Sequence, residues 1–319
     1  MLKEVIRKEV EREGFITFDR FTELCLYHPD FGYYTAERVK ALPGEDFFTA
    51  PELSPVFGKV VARHLEKISQ EKGIPLNILE LGGGKGFLAK DLLELLPVET
   101  YLILEKSEVA RKVIPGVKVV GSLEEIEEFS GFVISNEFFD AFPFKRIVKR
   151  GGKLYEVVIT LKGSELKEEL HPYSGNLPCE PEEGCEYSLF IGWEEFLEEL
   201  FRKFKRGYFL TFDYGSSCDS LKVRKSGTFR AFSKHTLIDN YLEFLGKADL
   251  TSSVDFGYLR KILEGHLVNV SLEPLSTFLL KEGVERFLSP EDVVVAVTLL
   301  VDMGRKFWVL SGVRGAYRR

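Results

Sequence analysis

Cysteine, methionine and tryptophan are scarce in this sequence, positive charge is not in excess, and no long apolar run occurs. Four cysteines (Cys25, Cys179, Cys185 and Cys218) in 319 residues exclude a disulfide-built scaffold and predict a reducing compartment. Forty-three basic side chains stand against 50 acidic ones, a net charge of −7. A chain with that balance offers no extended phosphate-binding surface, so nucleic acid is not an expected partner. The longest apolar stretch lies within Val293–Val301, far below the ~20 residues of a membrane span, and membrane insertion is not expected.

Leu2, Val5, Ile6 and Val10 fall at helical spacing, but Glu4, Glu9, Glu11 and Glu13 interrupt them. Neither a secretory h-region nor an acid-poor transit peptide has that pattern. The segment predicts a short amphipathic helix ending at Gly14, and a cytoplasmic protein is expected. The five histidines (His28, His64, His171, His235, His266) show no metal-ligand spacing. Cys179 and Cys185 flank an acidic loop with no second cysteine pair, so no metal is expected. Glu124–Glu128 reads as a solvated helix face.

What the chain does have is 45% apolar residues, enough for a sizeable core, and an ordered succession of elements. Residues 15–50 are rich in rings, Phe18, Phe21, Tyr27, Tyr33, Phe47 and Phe48 among them, broken by Pro29, Gly32, Pro43 and Gly44. They read as a cap packing its rings on a larger domain, or as a lid over a ligand. Ser54 and Pro55 open a helix running to about Gln70. From Leu76 the pattern alternates: strands at Leu76–Leu81, Tyr101–Leu104, Val117–Val120 and Phe132–Ser135, with helices at Phe87–Leu96 and near Ser107–Val113.

A hairpin follows, Arg146–Lys149 with Leu154–Leu161, turning at Gly151-Gly152. Trp193–Phe204 then reads as a helix and Gly207–Phe212 as a strand. Further helices are expected at Tyr258–Leu263, Thr277–Lys281 and from Pro290 to Asp302, with a last strand at Lys306–Leu310. The expected fold is α/β: a doubly wound, mostly parallel, Rossmann-like sheet with an interleaved α+β cap. The implied parts are an N-terminal cap and lead-in helix (1–70), a core (71–145, 191–214 and 290–319), a hairpin insertion (146–190) and a substrate-side cap (215–289).

Two loops carry chemistry. Glu80-Leu81-Gly82-Gly83-Gly84-Lys85-Gly86 joins the first strand to its helix. Glycines there allow close backbone approach to a ligand, and the helix N-terminus offers free N–H groups. A dinucleotide fingerprint starting at Gly82 would need glycine where Phe87 stands, and a phosphate-binding P-loop would need serine or threonine after Lys85. Among common users of this architecture that leaves S-adenosylmethionine, whose amino-acid end needs backbone donors and an acid. Glu80 supplies that acid, and Glu105, at the end of the second strand, suits ribose hydroxyls. The alternative is a turn that needs glycine only for packing.

The second loop, Ser135-Asn136-Glu137-Phe138-Phe139-Asp140, follows the fourth strand. Ligands of parallel sheets lie beyond the carboxyl ends of the strands. Asn136, Glu137 and Asp140 therefore read as a site for a cationic or amide-bearing acceptor, or as simple turn caps.

Leu26-Tyr27-His28-Pro29, Gly32-Tyr33-Tyr34, Asp46-Phe47-Phe48-Thr49-Ala50-Pro51-Glu52, the two loops above, Asp213-Tyr214-Gly215, Gly227-Thr228-Phe229-Arg230 and Ala248-Asp249-Leu250-Thr251 occur in that order. In this order they resemble the MidA-like family of S-adenosylmethionine-dependent methyltransferases, which includes the mitochondrial protein arginine methyltransferase that assists assembly of respiratory complex I. The sequence departs at Lys85, where the family has arginine, at Gly83, at Glu45 and at Ala50.

The resemblance implies a methyltransferase using S-adenosylmethionine and acting on arginine of a protein such as a respiratory NADH dehydrogenase subunit. It implies that Thr49, Pro51 and Glu52 close the cofactor site, and that Glu80, Gly82, Gly84 and Glu105 hold the cofactor. Asn136, Glu137 and Asp140 would face the acceptor, with Asp213 and Tyr214 lining that side. Alternatives are methylation of an amide or small molecule, and an assembly factor that binds its client without turnover. A nicotinamide oxidoreductase is disfavoured by Phe87.

Overall fold

Leu79, Leu81, Phe132, Val133 and Ile134 are all buried, so the strands that carry them have no solvent face, as expected of a parallel sheet covered on both sides. In the computed structural model, which describes residues 1–35, 49–106, 117–234 and 236–315, these two strands are β1 (Asn77–Leu81) and β4 (Phe129–Asn136), and the sheet continues from β1 through β2 (Thr100–Leu104) to β3 (Lys118–Val120). They pair in parallel. β5 (Phe204–Ser216) joins β4 in parallel, whereas β6 (Val268–Pro274) and β7 (Phe307–Arg314) pair antiparallel. The order across the sheet is β3-β2-β1-β4-β5-β7-β6. The chain therefore winds one way from β1 through β2 and the other way through β4. Loops leaving the carboxyl ends of β1 and β4 diverge at that switch, where open sheets bind ligands.

Helix α1 (Pro55–Lys72) starts as its sequence predicts, with Ser54 Oγ accepting from the Val56 amide and Pro55 in the first position. It ends at Gly73 in the left-handed conformation. Helix α2 (Phe87–Leu95) leaves the glycine loop. Val60, Val61 and Leu65 of α1 and Leu88 and Leu92 of α2 share one core with Ile78, Phe132, Leu210 and Phe212. Side chains of this size contribute about 1.5–3 kcal/mol each on full burial. His64, also on α1, meets Glu282 Oε1 through Nδ1 (3.0 Å) and the Tyr208 hydroxyl through Nε2 (3.1 Å).

Contacts divide the chain into two units. One, built on this sheet, takes in the described residues of Phe48–Phe138, Glu194–Gly215 and Leu259–Arg319. The other takes in those of Met1–Phe47, Phe139–Trp193 and Ser216–Tyr258. β6 and the helix Leu275–Lys281, placed by sequence in the 215–289 cap, lie in the sheet unit.

The second unit contains the predicted hairpin, Phe144–Arg150 with Lys153–Lys162, turning through Gly151 and Gly152 at φ 58° and 71°. Glu165–Pro172 extends it on one side and Glu186–Phe190 on the other. Arg146 donates to both carboxylate oxygens of Glu186 (2.8 and 2.9 Å) and lies 4.9 Å from the ring centres of both Phe18 and Phe229. Phe18 and Phe21 of the N-terminal segment are fully buried in this cluster of rings.

Several expectations are corrected. Glu124–Glu128 is not a helix face: Leu123–Glu125 is a single 3-10 turn closed by Ser122 and Glu125, and β4 begins at Phe129. The helix expected over Pro290–Asp302 is α-helical only at Val293–Val297 and π-helical at Thr298–Asp302. Cys179 and Cys218 form a disulfide, so the cysteines are not all reduced. Residues 39 apart are brought to a Cα separation of 5.6 Å, within disulfide range. The helix near Ser107–Val113 and the rings of Phe47 and Phe48 lie outside the described residues. Among the described residues no helix is long and apolar enough to cross a membrane.

Candidate active site

The glycine loop is tight on one side and bare on the other. Gly82 has φ 71° and Gly84 φ 51°, a region that side chains other than glycine rarely adopt. A Cβ on Gly82 would lie 2.9 Å from Cδ2 of Phe138, and one on Gly83 2.6 Å from Cγ2 of Ile103. A Cβ on Gly84 would meet no atom within 4 Å. The loop thus packs down on β2 and on Phe138 while leaving the backbone at Gly84 open. Its shape is fixed by the Gly82 amide donating to Leu104 O (2.9 Å) and the Gly86 amide donating to Gly83 O (2.8 Å).

Three acids surround this loop. Glu80 is 3% exposed and accepts from the Tyr101 hydroxyl at 2.7 Å. Burial raises its pKa to about 7, against the Tyr101 hydrogen bond, which lowers it, while the Glu105 charge adds to the rise. Glu105, just past β2, accepts from the Gly84 amide at 3.2 Å. Glu52 closes a capping box with Thr49 at the start of the short helix Ala50–Leu53, where Pro51 is buried. The same carboxylate accepts from Lys85 Nζ at 2.9 Å. Thr49, Pro51 and Glu52 are therefore tied to the glycine loop through Lys85.

At the end of β4, Asn136 Nδ2 donates to Glu137 Oε1 at 3.0 Å. The Glu137 amide continues the sheet by donating to Phe212 O (2.9 Å). Glu137 itself has φ 52°, an uncommon conformation for a non-glycine residue. Asp213 on β5 is fully buried and accepts from the amides of Phe138 (3.2 Å) and Tyr214 (2.9 Å). Tyr214 is half-buried, its ring 6.1 Å from that of Phe307.

Asp140 belongs to the other unit and to a different cluster. Its Oδ2 accepts from Thr251 Oγ1 at 3.3 Å, and Tyr34 donates to the neighbouring Asp249 at 2.8 Å. Burial and the Asp249 charge push the Asp140 carboxyl up.

Sequence reading did not find Tyr101 as the partner of Glu80. Tyr101 pairs in register with Ile78, two residues from Glu80, and an apolar strand carries no mark of such a diagonal contact. The Lys85–Glu52 pair joins two stretches that had been singled out separately. Asp213 was read as lining the acceptor side, whereas both of its oxygens face backbone amides.

A family model described as a putative S-adenosyl-L-methionine-dependent methyltransferase matches residues 56–272. The mitochondrial protein arginine methyltransferase NDUFAF7 homolog of Drosophila melanogaster is 30% identical over 314 residues, covering 82% of this chain and 70% of that one. The human mitochondrial protein arginine methyltransferase NDUFAF7 is 25% identical over 342 residues, covering 89% and 74%. A crystal structure from Burkholderia thailandensis bound to S-adenosyl-homocysteine shares the fold, with a TM-score of 0.85 at 24% identity, covering 99% of this chain and 93% of that one. The cytoplasmic expectation is overturned here: these curated relatives are named as mitochondrial proteins, which points away from the cytoplasm. The family match spans more than half of the chain, and the resemblance read from its motifs holds: the chain belongs to the MidA-like family of S-adenosylmethionine-dependent methyltransferases.

Proposed function

We propose that this methyltransferase methylates a guanidinium nitrogen of an arginine in a protein client, with a respiratory-complex subunit as the client class. The observation that carries this reading is Glu137. It sits at the carboxyl end of β4, its carboxylate oriented by Asn136, one residue before the ring that packs on Gly82. Guanidinium is a planar fork of five donors, and a carboxylate grips it bidentately. The fly and human relatives, named as protein arginine methyltransferases, support the same acceptor.

The chain's residues fit the cofactor: an open backbone at Gly84 and buried or loop-facing acids at Glu80 and Glu105. In this reading Glu80 answers the ammonium group, Glu105 the ribose hydroxyls, and Gly82 and Gly84 allow close approach. Thr49, Pro51 and Glu52 close the site, and Tyr214 lines the acceptor side. Bound S-adenosylmethionine supplies a methyl group on a positively charged sulfur. Glu137 and Asn136 hold the guanidinium plane so that one nitrogen presents its electron pair along the line of displacement. Transfer would form the N–C bond as the S–C bond broke, its electron pair leaving with sulfur, and the surplus proton would pass from the guanidinium to solvent.

Glu105→Ala is expected to weaken cofactor binding by roughly 1.5–3 kcal/mol, the cost of losing hydrogen bonds to a charged group. Calorimetry with S-adenosylhomocysteine checks this, and unchanged affinity in a folded variant would remove Glu105 from the site.

Glu80 gives a pH signature. Its pKa is raised in the fold, from 4.5 to about 7. Its contribution to stability is therefore complete below the unfolded value and is lost as pH rises through about 7. Ammonium binding needs the ionised form, so cofactor affinity is expected to rise over the same interval in which the ligand-free protein loses stability. Glu80→Gln should flatten both profiles. A cofactor affinity that falls with pH would contradict the assignment.

Transfer of labelled methyl from S-adenosylmethionine into protein, in a lysate lacking the native enzyme, tests the proposal as a whole. Label recovered in arginine supports it. Capture of a client with no label transferred favours an assembly factor instead.

A further inference from the structure

We infer that Asp213 is a positioning residue that acts through Glu137, holding its backbone in a left-handed turn instead of touching the acceptor. This rests on the proposed role of Glu137.

Three observations meet at this carboxylate. Asp213 is fully buried, and its two oxygens accept from the amides of Phe138 and Tyr214. Glu137, immediately before Phe138, has φ 52°. Glutamate has no special tolerance for that region, and such conformations persist only where the surroundings impose them. On the far side of the same peptide, the Phe138 ring fills the space beside Gly82, 2.9 Å from where a Cβ there would lie.

Parallel pairing carries β4 alongside β5 as far as Asn136 opposite Phe212, and the Glu137 amide still bonds Phe212 O. The next amide of the chain, that of Phe138, is met by the side chain of Asp213. A strand that would otherwise run on is thereby turned left at Glu137. The turn sets where the Glu137 carboxylate stands, and it seats Phe138 on the glycine loop. One buried carboxylate thus couples the acceptor loop to the cofactor loop, a job that requires an acceptor of two N–H groups and no contact with substrate.

Asp213→Asn is the direct test, because it keeps the size and one acceptor oxygen but turns an NH2 group toward a backbone N–H. Because Asp213 is fully buried, methyl transfer per folded molecule is expected to fall about ten- to a hundredfold, with S-adenosylhomocysteine affinity changed less than about threefold. Hydrogen exchange at the Phe138 amide should accelerate.

The double variant D213N/E137Q separates the roles. If Asp213 acts through Glu137, the double variant transfers methyl about as fast as E137Q alone. Losses that multiply would mean Asp213 works independently of Glu137, and a lowered melting temperature with transfer intact would make it merely structural. Either result overturns the inference.

Should D213N fail to fold, exchange in the wild-type protein decides: a protected Phe138 amide supports the hold, and rapid exchange there refutes it. Exchange needs no acceptor, so Asp213 is judged even if the arginine reading of the site fails.

Discussion

Glu137→Gln is expected to bind S-adenosylhomocysteine with near-normal affinity while transferring methyl to a protein arginine about ten to a thousand times more slowly, or worse. The substitution keeps the shape of the side chain and its backbone bond to Phe212. It removes the charge that grips guanidinium, and it turns a donor toward the Nδ2 group of Asn136 in one of its two orientations. Cofactor affinity is spared because Glu80, Gly84 and Glu105 belong to β1, its loop and the end of β2, not to the turn after β4. A Glu137 that served only the fold would give the opposite pattern, a lower melting temperature with unchanged turnover per folded molecule. Melting temperature, cofactor affinity and transfer measured on one preparation distinguish the two.

The second large effect belongs to the glycine loop, and the structure separates two glycines that sequence treats alike. Gly84→Val is expected to fold and to lose cofactor affinity by about a hundredfold or more. Its Cβ meets no protein atom within 4 Å, so the cost to the fold is the left-handed backbone at φ 51°, roughly 1–2 kcal/mol. The added side chain instead stands where the ligand must approach the backbone.

Gly82→Val is expected to damage the protein itself, because its Cβ falls 2.9 Å from the Phe138 ring. The ring must then move, and the turn at Glu137 with it. Calorimetry with S-adenosylhomocysteine and a melting curve on each variant check this. Normal affinity in a folded Gly84→Val protein would show that the loop does not cradle the cofactor.

The central sheet was legible because its strands include short apolar runs, the first of them followed by a helix of clear period, and because glycines mark where β1 turns. That Glu105 stands beside the glycine loop was legible for the same reason: a strand end and a loop stood at matching places, and the Gly84 amide meets that carboxylate. Contacts between distant stretches left no such trace. Tyr101 reaches Glu80 diagonally across two strands, and Lys85 reaches Glu52 across 33 residues. Cys179 and Cys218 lie in segments of no regular period, so a count of cysteines suggested reduced thiols where a disulfide forms.

The acidic run at 124–128 misled in another way. Its glutamates have helical composition, but Ser122 and Glu125 close a single turn before β4 begins. Asp213 looked like a ligand-facing acid because it ends a strand on the binding edge. Only the turn at Glu137 gives its carboxylate backbone amides to hold.

Quantitative mass spectrometry of protein arginines from cells with and without this gene tests the central claim most directly. The account predicts at least one arginine that is methylated only when the gene is present. It also predicts that a gene copy carrying Glu137→Gln, expressed at the same level, fails to restore the modification. An arginine methylation profile identical in all three cell lines, while the purified protein binds S-adenosylhomocysteine, would contradict an arginine acceptor.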